Sequence, residues 1–389
     1  MIKSANVQTR KYDVKASQKL SWQSHSETRT AVWQSEAGYP PPETLILADD
    51  TLTGDAAYWR ACAGTAMLYT GDFQNAKQLL QAVTRRADRK PAKPMSTMLE
   101  TFHQHRARQI VRANITNKVL IELQYGECNL TRSPEFQEAV ESALGEKAPE
   151  TMVLSLRETL GMIGANEWRK KGVYVNSLKA NIHASYGVFS PVRGEYLDLI
   201  NAADLNDPQI GWDIGTGTGV IAAVLVARGV QRVVATDTSG RALQSAAENF
   251  QRLNMQTKIS LVETSLFPSG KADLIVCNPP WVPAKVNTPI EHSIYDPKSQ
   301  MLKGFLNGAK SRLNANGEAW LIMSNLAENI GLRSPDDLQN WIKQAGLSVI
   351  DKRDISPKHA KSSEQSDRLY EARSKEVTSL YRLRSADES

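Results

Sequence analysis

Ile210-Gly211-Trp212-Asp213-Ile214-Gly215-Thr216-Gly217-Thr218-Gly219-Val220 decides how this chain is read. A short apolar run ends in an acid, alternate glycines follow, and an uninterrupted apolar stretch from Val220 to Ala227 comes next. The pattern predicts a strand, a tight turn and a helix, because glycines let the backbone turn sharply and approach a ligand closely. A dinucleotide fingerprint would put its last glycine at position 220, where valine stands. The run is GxGxG, and Asp213 before it suits a cofactor with a positively charged amino-acid end and no pyrophosphate.

Outward from this turn the texture is short apolar strands alternating with helices. Strands are predicted at Ile210 to Ile214, Val233 to Thr236, Ile259 to Val262, Ala272 to Cys277 and Glu318 to Met323. Helices are predicted at Val220 to Arg228, Ser239 to Leu253, Gln300 to Leu313 and Asp336 to Ala345. Such alternation is the signature of an α/β fold with a parallel sheet covered on both faces. Two last strands, Leu347 to Asp354 and Val377 to Leu383, follow with no helix between them, so the sheet should be seven-stranded and mostly parallel, with an antiparallel hairpin at its end.

Two more elements carry chemistry. Asp237 directly follows the strand Val233-Val234-Ala235-Thr236, where a carboxylate can accept both ribose hydroxyls of an adenosine. Its alternative is a helix cap, a role that Thr238 or Ser239 could equally fill. Asn278-Pro279-Pro280-Trp281 ends the strand Asp273-Leu274-Ile275-Val276-Cys277. Consecutive prolines fix φ and hold the backbone rigid. A planar amino group is a poor nucleophile because its lone pair is delocalised. If the Asn278 side-chain oxygen and the Pro279 carbonyl each accept one N–H, the lone pair turns toward the incoming methyl group, through bonds that strengthen in the transition state. Trp281 can stack on a planar acceptor and exclude water.

These three pieces, with Ala242-Leu243 and Ala246 to Asn249, resemble the Rossmann-like class I S-adenosylmethionine (AdoMet) dependent methyltransferases with an Asn-Pro-Pro-aromatic motif. That group includes release-factor glutamine methyltransferases, ribosomal RNA guanine-N2 methyltransferases and adenine-N6 methyltransferases. The resemblance covers about residues 180–330 and implies that Asp213, Gly215, Thr216, Gly217 and Gly219 hold the methionine part of AdoMet. It further implies that Asp237 and Thr238 hold the ribose and that Asn278 holds the acceptor nitrogen. Tyr186-Gly187-Val188-Phe189-Ser190-Pro191 is similar to the segment that covers the methionine end of the cofactor in these families, which brings in Phe189 and Pro191. Many relatives have an aspartate near the adenine amino group where this chain has Ser265, so that contact falls to Ser265, Glu263 or backbone. Trp281 replaces the commoner tyrosine or phenylalanine. His292-Ser293-Ile294-Tyr295-Asp296-Pro297 is similar to the loop of the glutamine enzymes, whereas Gly187-Val188-Phe189-Ser190 is similar to the ribosomal RNA enzymes.

The first 170 residues match no motif. Residues 1–42 read as a polar, irregular leader ending in Tyr39-Pro40-Pro41-Pro42, residues 43–170 as a mainly helical substrate-recognition domain, and residues 171–389 as the methyltransferase domain. Within 43–170, Phe73, Ala76, Leu79, Leu80 and Val83 form a core-facing helical stripe, Ser133-Pro134 starts a helix, and Glu150 to Ile163 reads as an apolar helix.

Of the 389 residues, 41% are hydrophobic and 23% charged, as in a globular protein, and no apolar run approaches the roughly 20 residues of a membrane span. With basic residues but no apolar stretch near Met1, the chain is expected in the cytoplasm. Cys62, Cys128 and Cys277 read as reduced, mostly buried thiols, and the His103-Gln104-His105 stretch as a solvated helix face with no metal. The net charge of +5 leans weakly toward an acidic partner, RNA before DNA, with a protein glutamine as the other acceptor. Lys358, His359 and Lys361, in the connection of the last hairpin, are either plain surface or an acceptor contact. The rival readings are a nicotinamide dehydrogenase, disfavoured by Val220, a non-catalytic RNA-binding relic, and a methyltransferase acting on a small-molecule amine.

Overall fold

A computed structural model describes residues 18–24, 27–145, 149–357, 364 and 366–388. The chain divides into two compact units. The first gathers the residues up to Ala87 with Asn114–Gln137 and Lys147–Thr159, and the second gathers Asp88–Ala113, Glu138–Glu146 and Leu160–Ser389. They are therefore not the contiguous blocks, divided near residue 170, that the sequence suggests.

The first unit is built on a sheet of β1 (Lys19–Ser24), β2 (Glu27–Trp33), β3 (Leu45–Ala48), β4 (Ala66–Tyr69), β5 (Val119–Gln124) and β6 (Thr151–Ser155), in the order β1-β2-β6-β5-β4-β3. Leu20, Trp22, Ala31, Ala66, Leu68, Leu120 and Val153 form a core on it. Helices α1 (Gly54–Cys62) and α2 (Phe73–Asp88) follow β3 and β4, and the stripe expected on α2 is the buried one.

Helices make up more of residues 43–170 than strands do, yet the unit also carries this six-stranded sheet. The sheet turns part of the expected leader into two strands, β1 and β2, while residues 1–17 lie outside the described residues. Ala-Met-Leu-Tyr of β4 is buried at every position and Thr-Met-Val-Leu-Ser of β6 at all but the first. Strands buried on both faces lose their period of two and cannot be told from a helix by pattern. Thus the helix expected from Glu150 to Ile163 is β6 followed by α5 (Leu156–Lys171). Before it come α3 (Met98–Thr116) and α4 (Gln137–Leu144), and α4 starts after Pro134 rather than at Ser133-Pro134.

In the second unit the small hairpin of β7 (Val173–Val175) and β8 (Ala180–Ile182) and helix α6 (Glu195–Ala202) precede the main sheet. That sheet takes β9 (Ile210–Ile214), β10 (Arg232–Asp237), β11 (Ile259–Glu263), β12 (Ala272–Cys277), β13 (Leu313–Ser324), β14 (Leu347–Ile355) and β15 (Thr378–Ser385). Its order is β11-β10-β9-β12-β13-β15-β14, and only the pairings of β15 are antiparallel. The seven-stranded sheet and its antiparallel end are as the sequence predicts. The last connection, however, contains a short helix, α12 (Tyr370–Ser374), in its described part, and Lys358, His359 and Lys361 lie outside the described residues.

Strand residues alternate between two cores. Leu274, Val276, Trp320 and Ile322 face α6, α7 (Val220–Ala227) and α8 (Gly240–Arg252). Trp212, Ile214, Ile275, Cys277 and Leu321 face α9 (Gln300–Arg312) and α11 (Asp337–Gln344), with the short α10 (Leu326–Ile330) following β13. Crossovers run one way from β9 to β10 and β11 and the other way from β12 to β13, so the carboxyl ends of β9 and β12 form the topological switch point, where open α/β sheets bind ligands. Of the thiols, Cys277 is buried and Cys128 partly so, whereas Cys62 is exposed, contrary to the mostly buried expectation. No helix among the described residues is long and apolar enough to cross a membrane.

Candidate functional site

Asp213 closes β9 and is wholly buried. Its Oδ2 accepts bonds from Thr216 Oγ1 at 2.6 Å and from the Ala222 N–H of α7 at 3.0 Å. Its Oδ1 has no partner among the described residues. Burial pushes this carboxyl up to about 7, against the hydrogen bonds from Thr216 and Ala222. A buried carboxylate with a free oxygen is costly unless a cation or donor meets it, and an ammonium group fits such an acceptor.

The glycines between β9 and α7 serve distinct ends. Gly219, at φ +82°, lies so close to α8 that a Cβ would stand 2.5 Å from the Phe250 ring. Gly217, at φ +54°, has nothing within 4 Å of where a Cβ would be, which leaves room for a ligand beside the backbone. Its N–H donates to Asp237 Oδ2 at 3.0 Å, and Asp237 Oδ1 accepts from the Ser239 N–H at 2.9 Å. Ser239, not Asp237, is the N-cap of α8. Burial raises the Asp237 carboxyl, and its two oxygens retain lone pairs for further donors.

Register places the other motif alongside. Cys277 pairs with Ile214, so Asn278 leaves β12 beside Gly215 leaving β9. Pro279 is buried, and Asn278, Pro280 and Trp281 are partly exposed. The Trp281 indole N–H donates to Asn278 Oδ1 at 3.0 Å and to the Ile322 carbonyl at 3.3 Å. The ring of Trp281 packs against the cores on both faces of the sheet and against a third cluster around Phe102, Val282, Ile330, Leu369 and Ala372.

Thr238 and Ser265 are exposed, and Ser265 is kept near Asp237 because the Thr264 N–H donates to the Asp237 carbonyl at 3.1 Å. The segment Tyr186 to Pro191 is tied to α8 at its start, where Arg241 donates to the Tyr186 carbonyl at 3.3 Å. Phe189 is 38% exposed, and Pro191 lines a cavity with Tyr174 and Glu195.

Sequence reasoning missed several residues that organise this end of the sheet. Asn249 of α8 donates to the Thr218 carbonyl at 3.0 Å and to the His183 carbonyl at 2.8 Å, joining the glycine turn to the segment before Tyr186. Arg106 of α3 is only 8% exposed, so the helix face expected to be solvated is in part a contact surface. Its guanidinium makes a bidentate pair with Glu291 at 2.8 and 3.1 Å, donates to the Lys285 carbonyl at 2.7 Å and lies 4.1 Å from the Tyr295 ring centre. Burial works against ionising Glu291, but hydrogen bonds from Arg106 and Asn287 hold its carboxyl below the usual range. Asp296 accepts from the Met301 and Leu302 N–H groups that start α9, at 3.0 and 3.1 Å. The loop after Trp281 is thus pinned at both ends.

Residues 179–335 match the family model for the methyltransferase small domain. The match makes this segment similar to methyltransferase small domains over about two fifths of the chain. Similar curated proteins include a release factor glutamine methyltransferase of Agrobacterium fabrum, 27% identical over 146 residues that make up 36% of this chain and 50% of that protein. A tRNA1(Val) (adenine(37)-N6)-methyltransferase of Cytophaga hutchinsonii is 31% identical over 121 residues, 29% of this chain and 50% of that protein. A ribosomal protein uL3 glutamine methyltransferase of Bordetella pertussis is 29% identical over 176 residues, 41% of this chain and 59% of that protein. The chain therefore spans between half and three fifths of the length of these relatives. The segment matched by the family model contains both the glycine turn and Asn278-Pro279-Pro280-Trp281.

Proposed function

We propose that the chain transfers a methyl group from AdoMet to a planar amino nitrogen, either an exocyclic amine of a base in RNA, less so in DNA, or a protein glutamine amide. The observation that carries this reading is the pairing of Cys277 with Ile214, which sets the glycine turn and Asn278-Pro279-Pro280-Trp281 side by side at the switch point. Glutamine and adenine enzymes among the similar proteins support both acceptor classes. A cytoplasmic location, the expectation from sequence, belongs to the same proposal.

AdoMet supplies an electrophilic methyl group. In this reading the unpartnered Oδ1 of Asp213 accepts its ammonium, the space beside Gly217 admits its backbone-facing part, with Gly215, Thr216 and Gly219 shaping that turn, and Asp237 receives the ribose hydroxyls. Thr238 and Ser265 flank the ribose and adenine, and Phe189 and Pro191 close over the methionine end. Asn278 Oδ1 and the Pro279 carbonyl accept the N–H groups of the acceptor and turn its lone pair toward the methyl, while Pro280 keeps the backbone fixed. Asn278 Oδ1 already accepts one bond from Trp281 and has a second lone pair for the acceptor. Positioning of this kind supplies much of the rate. Val220 at the place of the last dinucleotide glycine argues against a nicotinamide cofactor.

Calorimetric titration with AdoMet and with NADH, followed by nucleoside and amino-acid analysis of a methylated cell extract, tests the proposal. The expected result is binding of AdoMet alone and a methylated nucleoside or N-methylglutamine. Absence of AdoMet binding would overturn it.

A further inference from the structure

Trp281 stands where the Asn-Pro-Pro-aromatic family more often has tyrosine or phenylalanine, and the structure gives that exchange a consequence. Phenylalanine has no donor, and a tyrosine hydroxyl sits at the far end of its ring. An indole N–H lies on the ring edge, and here it reaches back three residues to Asn278 Oδ1 at 3.0 Å while sharing the Ile322 carbonyl at 3.3 Å. Because the indole nitrogen is donor only, the contact defines which end of the Asn278 carboxamide carries oxygen at that point.

The indole is itself held over its ring face. The guanidinium of Arg193 lies 5.3 Å from the Trp281 ring centre. Arg193 donates to Glu195 Oε1 at 3.1 Å and to Glu376 Oε1 at 3.0 Å. Glu376 is 3% exposed, and its Oε1 also accepts the Ser324 hydroxyl of β13 at 2.7 Å. The ring thus has an anchored cation over its face, and its N–H is shared between the Ile322 carbonyl and, at the shorter distance, Asn278 Oδ1.

We propose that Trp281 is a positioning residue for Asn278: its indole N–H orients the carboxamide so that Oδ1 faces the acceptor nitrogen, and Arg193, anchored by Glu376, fixes the indole. This rests on the methyl-transfer reading of the site. It replaces the expectation that the Trp281 ring serves chiefly as a stacking platform.

The test has an arm that does not depend on activity. In protein labelled with 15N at tryptophan, the Trp281 indole resonance is identified by its loss in Trp281→Phe. Asn278→Ala should shift that resonance and speed its exchange with solvent. Arg193→Met should broaden or move it. With tritiated AdoMet and a fractionated cell extract as acceptor source, Trp281→Phe should lower the maximal rate by roughly 10- to 100-fold through misplacement of the carboxamide, with half-saturation for extract and AdoMet affinity within a few-fold of wild type. An indole resonance indifferent to Asn278→Ala, or a folded Trp281→Phe protein with wild-type turnover, overturns the proposal. Failure of the wild-type protein to bind AdoMet would instead sink the methyl-transfer reading, leaving the resonance experiment to judge the contact itself.

Discussion

Replacing Asp213 by asparagine should make the ligand-free protein more stable at neutral pH and a worse binder of AdoMet. The carboxyl is pushed from 3.8 to about 7 by burial, and its Oδ1 is unpartnered. A group whose pKa is raised on folding contributes stability below its unfolded value, and that contribution is lost as pH rises through the folded value. A rise from 3.8 to about 7 corresponds to about 4 kcal/mol of ionisation cost at pH 8. That cost is already net of the bonds from Thr216 and Ala222, which asparagine can still accept through its single oxygen, so a gain of up to about 4 kcal/mol is expected, a rise of about 8–16 °C in Tm for a unit of this size. Thermal melts of both ligand-free proteins between pH 4 and 8 should show the difference growing up to about pH 7 and vanishing near pH 4. Without the charge, AdoMet affinity should fall by roughly 10- to 100-fold, the range set by one charge-assisted bond of about 1.5–3 kcal/mol. A variant less stable than wild type by the same margin at every pH would show that Oδ1 is served within the protein, and the ammonium-binding argument would fall.

Gly217→Ala and Gly219→Ala should separate binding from folding. At Gly217 a methyl meets no protein atom, so the variant should fold at a cost of about 1 kcal/mol for its positive φ and yet lose AdoMet binding in calorimetry. At Gly219 the methyl would stand 2.5 Å from Phe250, and the melt should show severe destabilisation. Arg106→Met leaves Glu291 unpaired in a partly buried site and should cost about 3 kcal/mol in melts, with Arg106→Met/Glu291→Met recovering most of it. Asp237→Ala should weaken AdoMet by about 1.5–3 kcal/mol for each charge-assisted bond lost, while the helix keeps its Ser239 cap; unchanged affinity in a titration would deny it the ribose role.

The second unit was legible because its decisive features are local. The glycines sit where positive φ or close approach demands them, β12 ends at the prolines, and helices such as α8 have clear caps and periodicity. Asn278 and Asp213 could be marked as chemical from residue type and place in a strand-turn-helix alone. The first unit was legible in part, as at the buried stripe of α2, but β4 and β6 were not, because they are short and buried on both faces and show no alternation. Their identity comes from pairing with partners distant in sequence, as when Leu120 of β5 meets Ser155 of β6. The same limit hid the clamp on the loop after Trp281, since Arg106 and Glu291 stand 185 residues apart. The stacking role read for Trp281 followed from ring type, whereas its N–H contact needed the backbone turn that brings it back to Asn278.

The most direct test of methyl transfer through Asn278 is to incubate wild-type and Asn278→Ala protein with tritiated AdoMet and a fractionated cell extract, after calorimetry has shown both to bind AdoMet within a few-fold of each other. The account predicts label entering the RNA or protein fraction with wild type and a loss of about two to three decades in rate with the variant, the cost of one transition-state hydrogen bond. Equal labelling by the two proteins, or no labelling of either fraction by an AdoMet-bound wild type, would contradict it.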